Sequence, residues 1–256
     1  MKTVSVIILT LNEEGNIREC LESVSWATER LVIDSESTDR TVAIARECGA
    51  TVLNLPWKGY GPTKNEALAV AKGDWILWLD ADERVMPELA AEIQGLGGME
   101  DGGPAAYTVA RRAYFLGKWI RHAGWYPGRV VRLFRRGHGR FTEPRVHEGV
   151  EVNGEIGALR NDLIHFTDPS IHHYFVKFNR YTTLAADDLR NRGKRFGLSG
   201  LLVHPIFTFF RMYILRQGFR DGIQGFILCT LSSCYVFVKY AKLWEQQTTS
   251  SKEANS

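Results

Sequence analysis

The sequence predicts an α/β protein in which a mainly parallel sheet is flanked by helices and followed by an apolar helical extension. Short β-rich runs alternate with helical patterns through residues 1–100, polar clusters directly follow the apolar runs, and residues 198–243 are unusually apolar. Alternation of strands and helices is typical of parallel strands joined by crossover helices. A chain of 256 residues is long enough for one or two domains with a hydrophobic core.

The first hundred residues contain four predicted strands, with a helix after each of the first three. Each strand is a short apolar run, and each helix carries apolar residues on one face. Asn12 is expected to cap the first helix, and Ser37 or Asp39 the second. The predicted strands are Val4–Leu9, Leu31–Ile33, Thr51–Leu55 and Trp75–Leu79, and the predicted helices contain Ile17–Val24, Val42–Arg46 and Lys64–Ala71.

An arginine-rich segment follows a glycine-rich surface loop at residues 95–104. Residues 105–166 are predicted to form short strands and loops. Between Arg111 and Arg145 there are ten Lys/Arg residues and one acidic residue, Glu143. This positive surface is either a solvated face or a surface that binds the phosphates of an acceptor.

From Ser170 the pattern is helical, and two apolar stretches stand out, Leu198–Leu215 and Gly222–Val238. A membrane-spanning helix needs roughly 20 apolar residues. The first stretch contains Pro205 and Arg211, and the second has only 17 residues. We therefore predict a helical hairpin at a membrane interface. A buried helix pair or a dimer interface in a homo-oligomer would give the same pattern.

Charge and cysteine content narrow the class of protein. The net charge of +3 is too small to indicate general nucleic-acid binding, although residues 1–100 carry a net −8 and residues 101–256 a net +11. Four cysteines without a CxxC pair indicate reduced thiols. The N-terminus lacks the apolar block and cleavage site of a signal peptide. We expect a cytoplasmic protein.

Three carboxylates follow the fourth strand within four residues: Asp80, Asp82 and Glu83. Adjacent carboxylates repel each other, so their clustering at a strand end is destabilising unless a cation is present. Oxygen ligands at this density suit magnesium or manganese, which also bind phosphate oxygens.

Polar residues also follow the other strands. In open parallel sheets, ligands bind at the carboxyl ends of the strands. An acidic residue there can accept a hydrogen bond from a ribose hydroxyl or a base N–H, and a lysine at a helix start can bind phosphate. The clusters together predict a nucleotide site with a metal at its phosphate end. They are Asn12 to Glu14, Asp34 to Asp39, and Lys64 with Asn65.

Four motifs, in this order, resemble family 2 glycosyltransferases with the GT-A fold: Val4–Glu13, Ile33–Thr41, Lys64-Asn65 and Asp80–Glu83. Glu36 departs from the glycine that is usual at its place. The resemblance implies a nucleotide diphosphate sugar as donor. It also implies that the donor is bound by Thr10, Asn12, Glu13, Asp34, Ser35, Asp39, Lys64, Asn65 and Asp80.

The same resemblance implies separate roles for the acidic residues. Asp34 would contact the nucleobase and Asp80 the ribose or the metal shell. Asp82 would hold the manganese or magnesium ion that bridges the diphosphate. Apart from the resemblance, His165 is a candidate for a third metal ligand or a phosphate donor, because it ends a predicted strand in the second half of the chain.

Motifs in the second half resemble a bacterial subgroup that adds sugars to the lipopolysaccharide inner core. They are residues 141–148, 163–165, 213–222 and 239–245. The resemblance implies an inverting enzyme with Glu148 as the base, and Glu143 and Asp162 are the alternatives. It also implies a lipid-linked saccharide acceptor, UDP-glucose as donor, and a peripheral position on the inner face of the cell membrane.

The expected organisation is a catalytic domain over residues 1–168, divided into a nucleotide-sugar half at 1–100 and an acceptor half at 105–168. A membrane-associating helical extension over 169–245 and a disordered tail at 246–256 follow. Two other functions are compatible with the sequence. One is a transferase that loads sugar onto polyprenyl phosphate, and the other is a non-catalytic scaffold at the membrane surface.

Overall fold

A computed structural model describes residues 2–55, 60–96, 103–142 and 149–253. The described residues form two units. We call the first the sheet unit; it contains the chain up to Arg112 and the described residues between Gly128 and Phe166. We call the second the helical unit; it contains Ala113–Pro127 and the chain from Thr167 onward.

Four parallel strands form one half of the main sheet of this unit, as predicted. The strands are β1 (Val4–Thr10), β2 (Glu29–Asp34), β3 (Thr51–Asn54) and β4 (Trp75–Asp80). The helices of this unit are α1 (Ile17–Ser23), α2 (Thr41–Glu47), α3 (Tyr60–Val70) and α4 (Pro87–Gly95). In space the strand order is β3-β2-β1-β4, so β1 lies between the two strands that end in aspartate.

Further strands, most of them in antiparallel pairs, follow β4 along the chain. They are β5 (Glu83–Val85), β6 (Ala106–Phe115), β7 (Lys118–Trp119), β8 (Arg129–Arg135), β9 (Gly139–Phe141), β10 (Val150–Val152), β11 (Ile156–Ala158) and β12 (Leu163–Asp168). The order continues as β4-β8-β6-β12-β5, and β9 pairs with β10 separately. The predicted α/β class with a mainly parallel sheet is confirmed.

The central strands are buried on both faces. Ile8 and Leu79 pack into one side of the sheet, and Ile7 and Trp78 pack into the other. All four side chains are inaccessible to solvent. Because a strand covered on both faces must be apolar at every position, it appears in the sequence as a continuous hydrophobic run.

The helical unit contains α5 (Ile171–Asn191), α6 (Leu198–Phe210) and α7 (Gly222–Glu253). A π-helical turn, Arg211–Leu215, and a short 3-10 turn, Gly218–Asp221, connect α6 with α7. Two helical segments of this unit are long and apolar enough to cross a membrane, and only 17% and 22% of their most apolar windows are buried. The predicted apolar helical extension is confirmed.

The division into units differs from the predicted organisation at one segment. The prediction assigns Ala113–Pro127 to the first domain, whereas the structure groups it with the helices. The reason is packing, since Phe115 and Ile120 are buried in one cluster with Met212 and Leu228.

Two expectations about helix starts are wrong. Asn12 does not cap α1, because it adopts a φ of +56° and α1 begins only at Ile17. Its side-chain oxygen instead accepts a hydrogen bond from the backbone N of Thr38, at 2.8 Å. Lys64 does not open α3, which begins one turn earlier at Tyr60.

The predicted disordered tail is also wrong as far as Glu253, since α7 continues to that residue. Hydrogen bonds fasten this end of α7 to the rest of the helical unit. Gln246 donates to the Asp187 carboxylate, and Gln247 donates to the carbonyl of Lys194, both at 2.8 Å. These long-range contacts stabilise a polar helix end that has no local apolar pattern.

We predict that Gly73→Ala destabilises the sheet unit. A Cβ at this position would lie 2.5 Å from the backbone N of Ser5, so the chain between α3 and β4 would have to move away from β1. The expected loss is about 1–3 kcal/mol of unfolding free energy, measured by urea denaturation.

Gly95→Ala is the matched control, because a Cβ there meets no atom within 4 Å. It should be neutral or slightly stabilising. Equal stability of the two variants would contradict the close approach of Gly73 to β1.

Candidate functional site

Acidic residues from separate parts of the chain meet at one edge of the sheet. Asp34 ends β2 and Asp80 ends β4, and in the strand register they lie beside Thr10 and Leu9 of β1. Neighbouring strands are about 4.8 Å apart, which places the two aspartate backbones about 10 Å from each other. The structure therefore brings both predicted residues to the carboxyl ends of the parallel strands.

Asp34 is buried, with 3% of its surface exposed. Its carboxylate accepts hydrogen bonds from the backbone N and the hydroxyl of Ser37, at 2.9 and 2.5 Å, and from the hydroxyl of Thr10, at 3.3 Å. The loop that follows β2 is thus folded over the carboxylate. Glu36 within it has a φ of +66°, a left-handed conformation that favours glycine.

Ser35 offers an unused hydroxyl beside this carboxylate. Its Oγ is buried and has no hydrogen-bond partner among the described residues, while its backbone N donates to the carbonyl of Thr10. A buried hydroxyl without a partner is destabilising, so a ligand atom here would be favoured.

The loops after β1 and β2 are joined by hydrogen bonds. The backbone N of Glu13 donates to the Thr41 hydroxyl at 2.7 Å. The carboxylate of Asp39 accepts from the backbone N of Thr41 and of Glu14, at 2.9 and 3.1 Å. Burial raises the pKa of Asp39, but these hydrogen bonds outweigh it and lower the pKa. In this structure Asp39 therefore fixes the start of α2 and the loop after β1.

Arg132, on β8, lies between two carboxylates at the end of β4. Its guanidinium donates to Asp80 and, at 2.6 Å, to Glu83. Glu83 is fully buried, and its second oxygen accepts from the backbone N of Asp80 at 3.0 Å. The cation required by this acidic cluster is thus supplied in part by the protein itself.

The pKa values follow from this arrangement. Partial burial raises the pKa of Asp80, but the charges of Arg132, Lys64 and His165 outweigh it and hold the pKa at about 2. Asp80 is therefore ionised at neutral pH. Complete burial raises the pKa of Glu83 above its usual value, against the opposing charge of Arg132.

Asp82 and His165 form a second pair. The imidazole Nε2 lies 3.4 Å from one oxygen of Asp82, and the other oxygen, Oδ1, is buried without a hydrogen-bond partner in the described part of the chain. Pairing of β12 with β5 places His165 opposite Glu83. The sequence predicted that His165 ends a strand, but it lies inside β12, which continues to Asp168.

The predicted metal residues only partly come together. Asp82 and His165 present one imidazole and one carboxylate oxygen that has no partner among the described residues, and both groups suit a divalent cation. Asp80 is engaged by Arg132 instead. In the described ranges no group of three or more His, Cys, Asp or Glu side chains is arranged to hold a metal ion. The protein side chains alone do not complete a coordination shell, so the metal site stays a prediction.

Lys64 and Asn65 have different surroundings. Lys64 is buried, and its Nζ lies 5.2 Å from the ring centres of both Trp78 and Phe141. The amide of Asn65 both donates to and accepts from the backbone of Phe141, at 2.9 Å in each case. Asn65 therefore fastens α3 to β9, and its predicted contact with the donor remains a prediction.

The three candidate bases are not equally described. Glu148 and Glu143 lie outside the described residues. Asp162 is buried and accepts a 2.8 Å hydrogen bond from Arg112, so an ion pair already occupies this carboxylate.

Sequence reasoning did not single out Arg111 and Arg132 within the arginine-rich segment. Both have a buried Nε without a hydrogen-bond partner in the described structure. Burial lowers the pKa of Arg111, and the nearby charge of Arg132 lowers it further. The available signal was a charged residue inside an apolar strand, since Arg132 lies between Val131 and Leu133.

Comparisons with known proteins identify the relatives of this chain. Residues 5–154 match the family model of glycosyl transferase family 2. The lipopolysaccharide core biosynthesis glycosyltransferase LpsC of Rhizobium meliloti is 33% identical over 95% of this chain and 92% of LpsC. An uncharacterized glycosyltransferase of Rickettsia typhi is 31% identical over 96% and 88% of the two chains.

A solved structure is also similar in part. It is glucosyl-3-phosphoglycerate synthase from Mycobacterium tuberculosis in complex with Mn2+, UDP and glucosyl-3-phosphoglycerate. The identity is 28% over 44% of each chain, with a TM-score of 0.37.

We predict that Arg132→Met strongly destabilises the sheet unit. The substitution leaves Glu83 buried beside Asp80 without its cation, and loss of one partner of a buried ion pair costs about 3–5 kcal/mol. Urea denaturation measures the loss, and adding Glu83→Gln should restore part of it.

Arg40→Met is the control, because its ion pair with Glu47 is solvated, with 72% of the Arg40 side chain and 49% of the Glu47 side chain exposed. A loss of only about 1 kcal/mol is expected there. If Arg132→Met lowered the free energy of unfolding no more than this control does, the buried ion pair would not be what stabilises the end of β4.

Proposed function

We propose that this chain, which belongs to glycosyl transferase family 2, is an inverting enzyme that moves glucose from UDP-glucose to a hydroxyl of a lipid-linked saccharide. One observation carries the proposal. A buried acidic strand end and a cluster of cations lie at one edge of the sheet, together with a hydroxyl and a carboxylate oxygen that have no hydrogen-bond partner among the described residues. This arrangement is complementary to a nucleoside at one end and a diphosphate at the other.

The nucleoside end would be formed by Asp34 and Ser35. Asp34 is held rigidly by Ser37 and Thr10, so its carboxylate is ready to accept from a base N–H without reorganisation. The buried Ser35 hydroxyl can donate to or accept from the nucleoside, which would satisfy its missing hydrogen bond.

The diphosphate end would be formed by Lys64, Arg132 and the pair of Asp82 with His165. Lys64 and Arg132 already lower the pKa of Asp80, so their charges act across the same small region. Asp82 and His165 fit a manganese or magnesium ion whose remaining ligands would be phosphate oxygens and water. When bound, such an ion offsets the charge that develops on the leaving diphosphate.

The transfer itself is a single displacement. The acceptor hydroxyl oxygen forms a bond to the anomeric carbon while the bond from that carbon to the diphosphate oxygen breaks. The hydroxyl proton passes to a carboxylate base, for which we propose Glu148, and the nucleoside diphosphate leaves. Asp162 is the weaker alternative, because its carboxylate already accepts a 2.8 Å hydrogen bond from Arg112.

The acceptor class rests on the similarity to LpsC, whose name specifies lipopolysaccharide core biosynthesis. We therefore propose a saccharide of the lipopolysaccharide core as acceptor. The apolar helices of this chain would also suit polyprenyl phosphate as acceptor. Mass spectrometry of the product distinguishes the two acceptors. Glucose attached to polyprenyl phosphate, and not to a saccharide hydroxyl, would contradict the first proposal and support the second.

We expect Mn2+ to strengthen binding of UDP to this chain, and Asp82→Asn to remove that effect. A ligand carboxylate contributes at least about 10- to 100-fold to metal affinity. Calorimetric titration of UDP with and without Mn2+ measures the coupling without any turnover.

Glu88→Gln is the control for charge, since Glu88 is exposed in the first turn of α4. It should keep the full effect of Mn2+. If the Asp82 variant kept it as well, the metal would not be held by Asp82.

We further expect Glu148→Gln to lower kcat by about 10²- to 10⁴-fold while the affinity for UDP stays the same. The amide preserves the size of the side chain but cannot take the proton. Glu151→Gln, three residues along the chain and exposed, should keep normal turnover. Near-normal turnover of the Glu148 variant would assign the base to another carboxylate.

A further inference from the structure

A basic loop is fastened to the turn that joins α6 with α7. The backbone N of Arg121 and of His122 donate to the carboxylate of Asp221, at 3.2 and 2.8 Å, and Nδ1 of His122 lies 2.9 Å from the same group. The backbone N of Ala123 donates to the carbonyl of Arg216 at 2.9 Å. We call residues 118–124 and 211–223 together the hairpin tip.

The hairpin tip is strongly cationic. Its acidic residue, Asp221, is 2% exposed and fully used in holding the loop. Its cationic side chains therefore have no exposed carboxylate beside them within the tip. Five basic residues belong to it: Lys118, Arg121, Arg211, Arg216 and Arg220.

Large apolar side chains are exposed among these cations. Leu215, Phe219 and Ile223 are 60%, 50% and 65% exposed. The exposed surface continues along one face of α6, where Leu198, Leu202, Ile206 and Phe210 recur at every fourth position. Cations mixed with exposed aliphatic and aromatic side chains match the interface of a bilayer, where phosphates lie above acyl chains.

The geometry of the helical unit favours contact with the bilayer surface over spanning it. α6 and the π-helical turn that continues it have 18 residues, or about 27 Å of helix against about 30 Å of hydrocarbon, and they contain Pro205 and the charged Arg211. One side of α7 is covered by α5, since Lys242 Nζ donates to side chains of Asn179, Thr182 and Thr183. A spanning orientation would carry polar groups of α5 into the hydrocarbon.

Charge also decides between a bilayer and a second copy of this chain. A two-fold dimer places the same patch of each copy against the other. Two hairpin tips facing each other would bring two sets of five cations together, which is repulsive. An anionic lipid surface has the complementary charge.

We propose that the hairpin tip docks on the headgroup layer of an anionic lipid bilayer. The basic residues bind lipid phosphates, and Leu215, Phe219 and Ile223 reach below them. His122 and Asp221 position the basic loop on the tip. The docking goes beyond the proposed sugar transfer and does not depend on it.

Vesicle flotation of the full chain tests the proposal. The chain should float with vesicles of phosphatidylglycerol and phosphatidylethanolamine. With vesicles of phosphatidylcholine alone it should remain unbound at the bottom of the gradient. One basic residue at an anionic surface is worth about fivefold in partitioning, so the double variant R211Q/R220Q should bind about 25-fold less. The matched control R46Q/R136Q removes two exposed cations from the sheet unit and should float normally.

Two further variants test insertion. Ile223→Ser should lower partitioning by about tenfold or more, whereas Val70→Ser, exposed in the sheet unit, should not. Phe219→Trp is conservative, and its fluorescence, after subtraction of the wild-type signal, should be quenched by brominated lipid.

Equal flotation with both kinds of vesicle would overturn the proposal, as would normal flotation of R211Q/R220Q or a Phe219→Trp signal that brominated lipid leaves unchanged. Two results together would assign the hairpin tip to contact with a second copy of the chain. The wild type would not float, and it would form a dimer that Ile223→Ser dissociates. UDP binding of each variant, measured in parallel, keeps this result separate from the proposed sugar transfer.

Discussion

The chain holds three carboxylates within four residues at the end of one buried strand, and Arg132 makes that arrangement possible. Antiparallel pairing of β8 with β4 brings Arg132 close to the end of β4, where its side chain binds both Asp80 and the buried Glu83. Without an internal cation the repulsion between these carboxylates would oppose folding of the strand end. Arg132 binds Asp80 and Glu83, whereas Oδ1 of Asp82 has no hydrogen-bond partner among the described residues. In the proposed function, this oxygen would hold the divalent cation that accompanies a diphosphate.

The polar residues at the sheet edge divide into those that build the site and those that remain available to a ligand. Three side chains form hydrogen bonds with the backbone of neighbouring loops and strands: Asn12, Asp39 and Asn65. Ser35 and Asp82 each keep a buried oxygen without a partner in the described structure. A polar cluster after a strand therefore contains both scaffolding and contact residues, and only the hydrogen-bond network separates them.

In the helical unit, cations and large apolar side chains are exposed side by side. Burial of Asp221 is central to this, because its carboxylate satisfies two backbone N–H groups and an imidazole and so leaves the hairpin tip without an exposed negative charge. The packing of α5 on α7 supplies the stability that the exposed face of α6 does not. Exposure of large apolar side chains to water is unfavourable, so we expect this surface to bind the interface of a lipid bilayer.

The sequence alone determined the central strands and the positions of Asp34, Asp80 and Asp82 at their carboxyl ends, because a strand buried on both faces is a local apolar run with a defined end. It also indicated the apolar extension. Tertiary structure decided which arginine reaches Asp80, that His165 faces Asp82, and that α7 continues through its polar end. It also removed Asn12 from the cap of α1. These outcomes depend on strand register and on partners far along the chain, and no local pattern of residues encodes which distant side chain will satisfy a given charge or hydrogen bond.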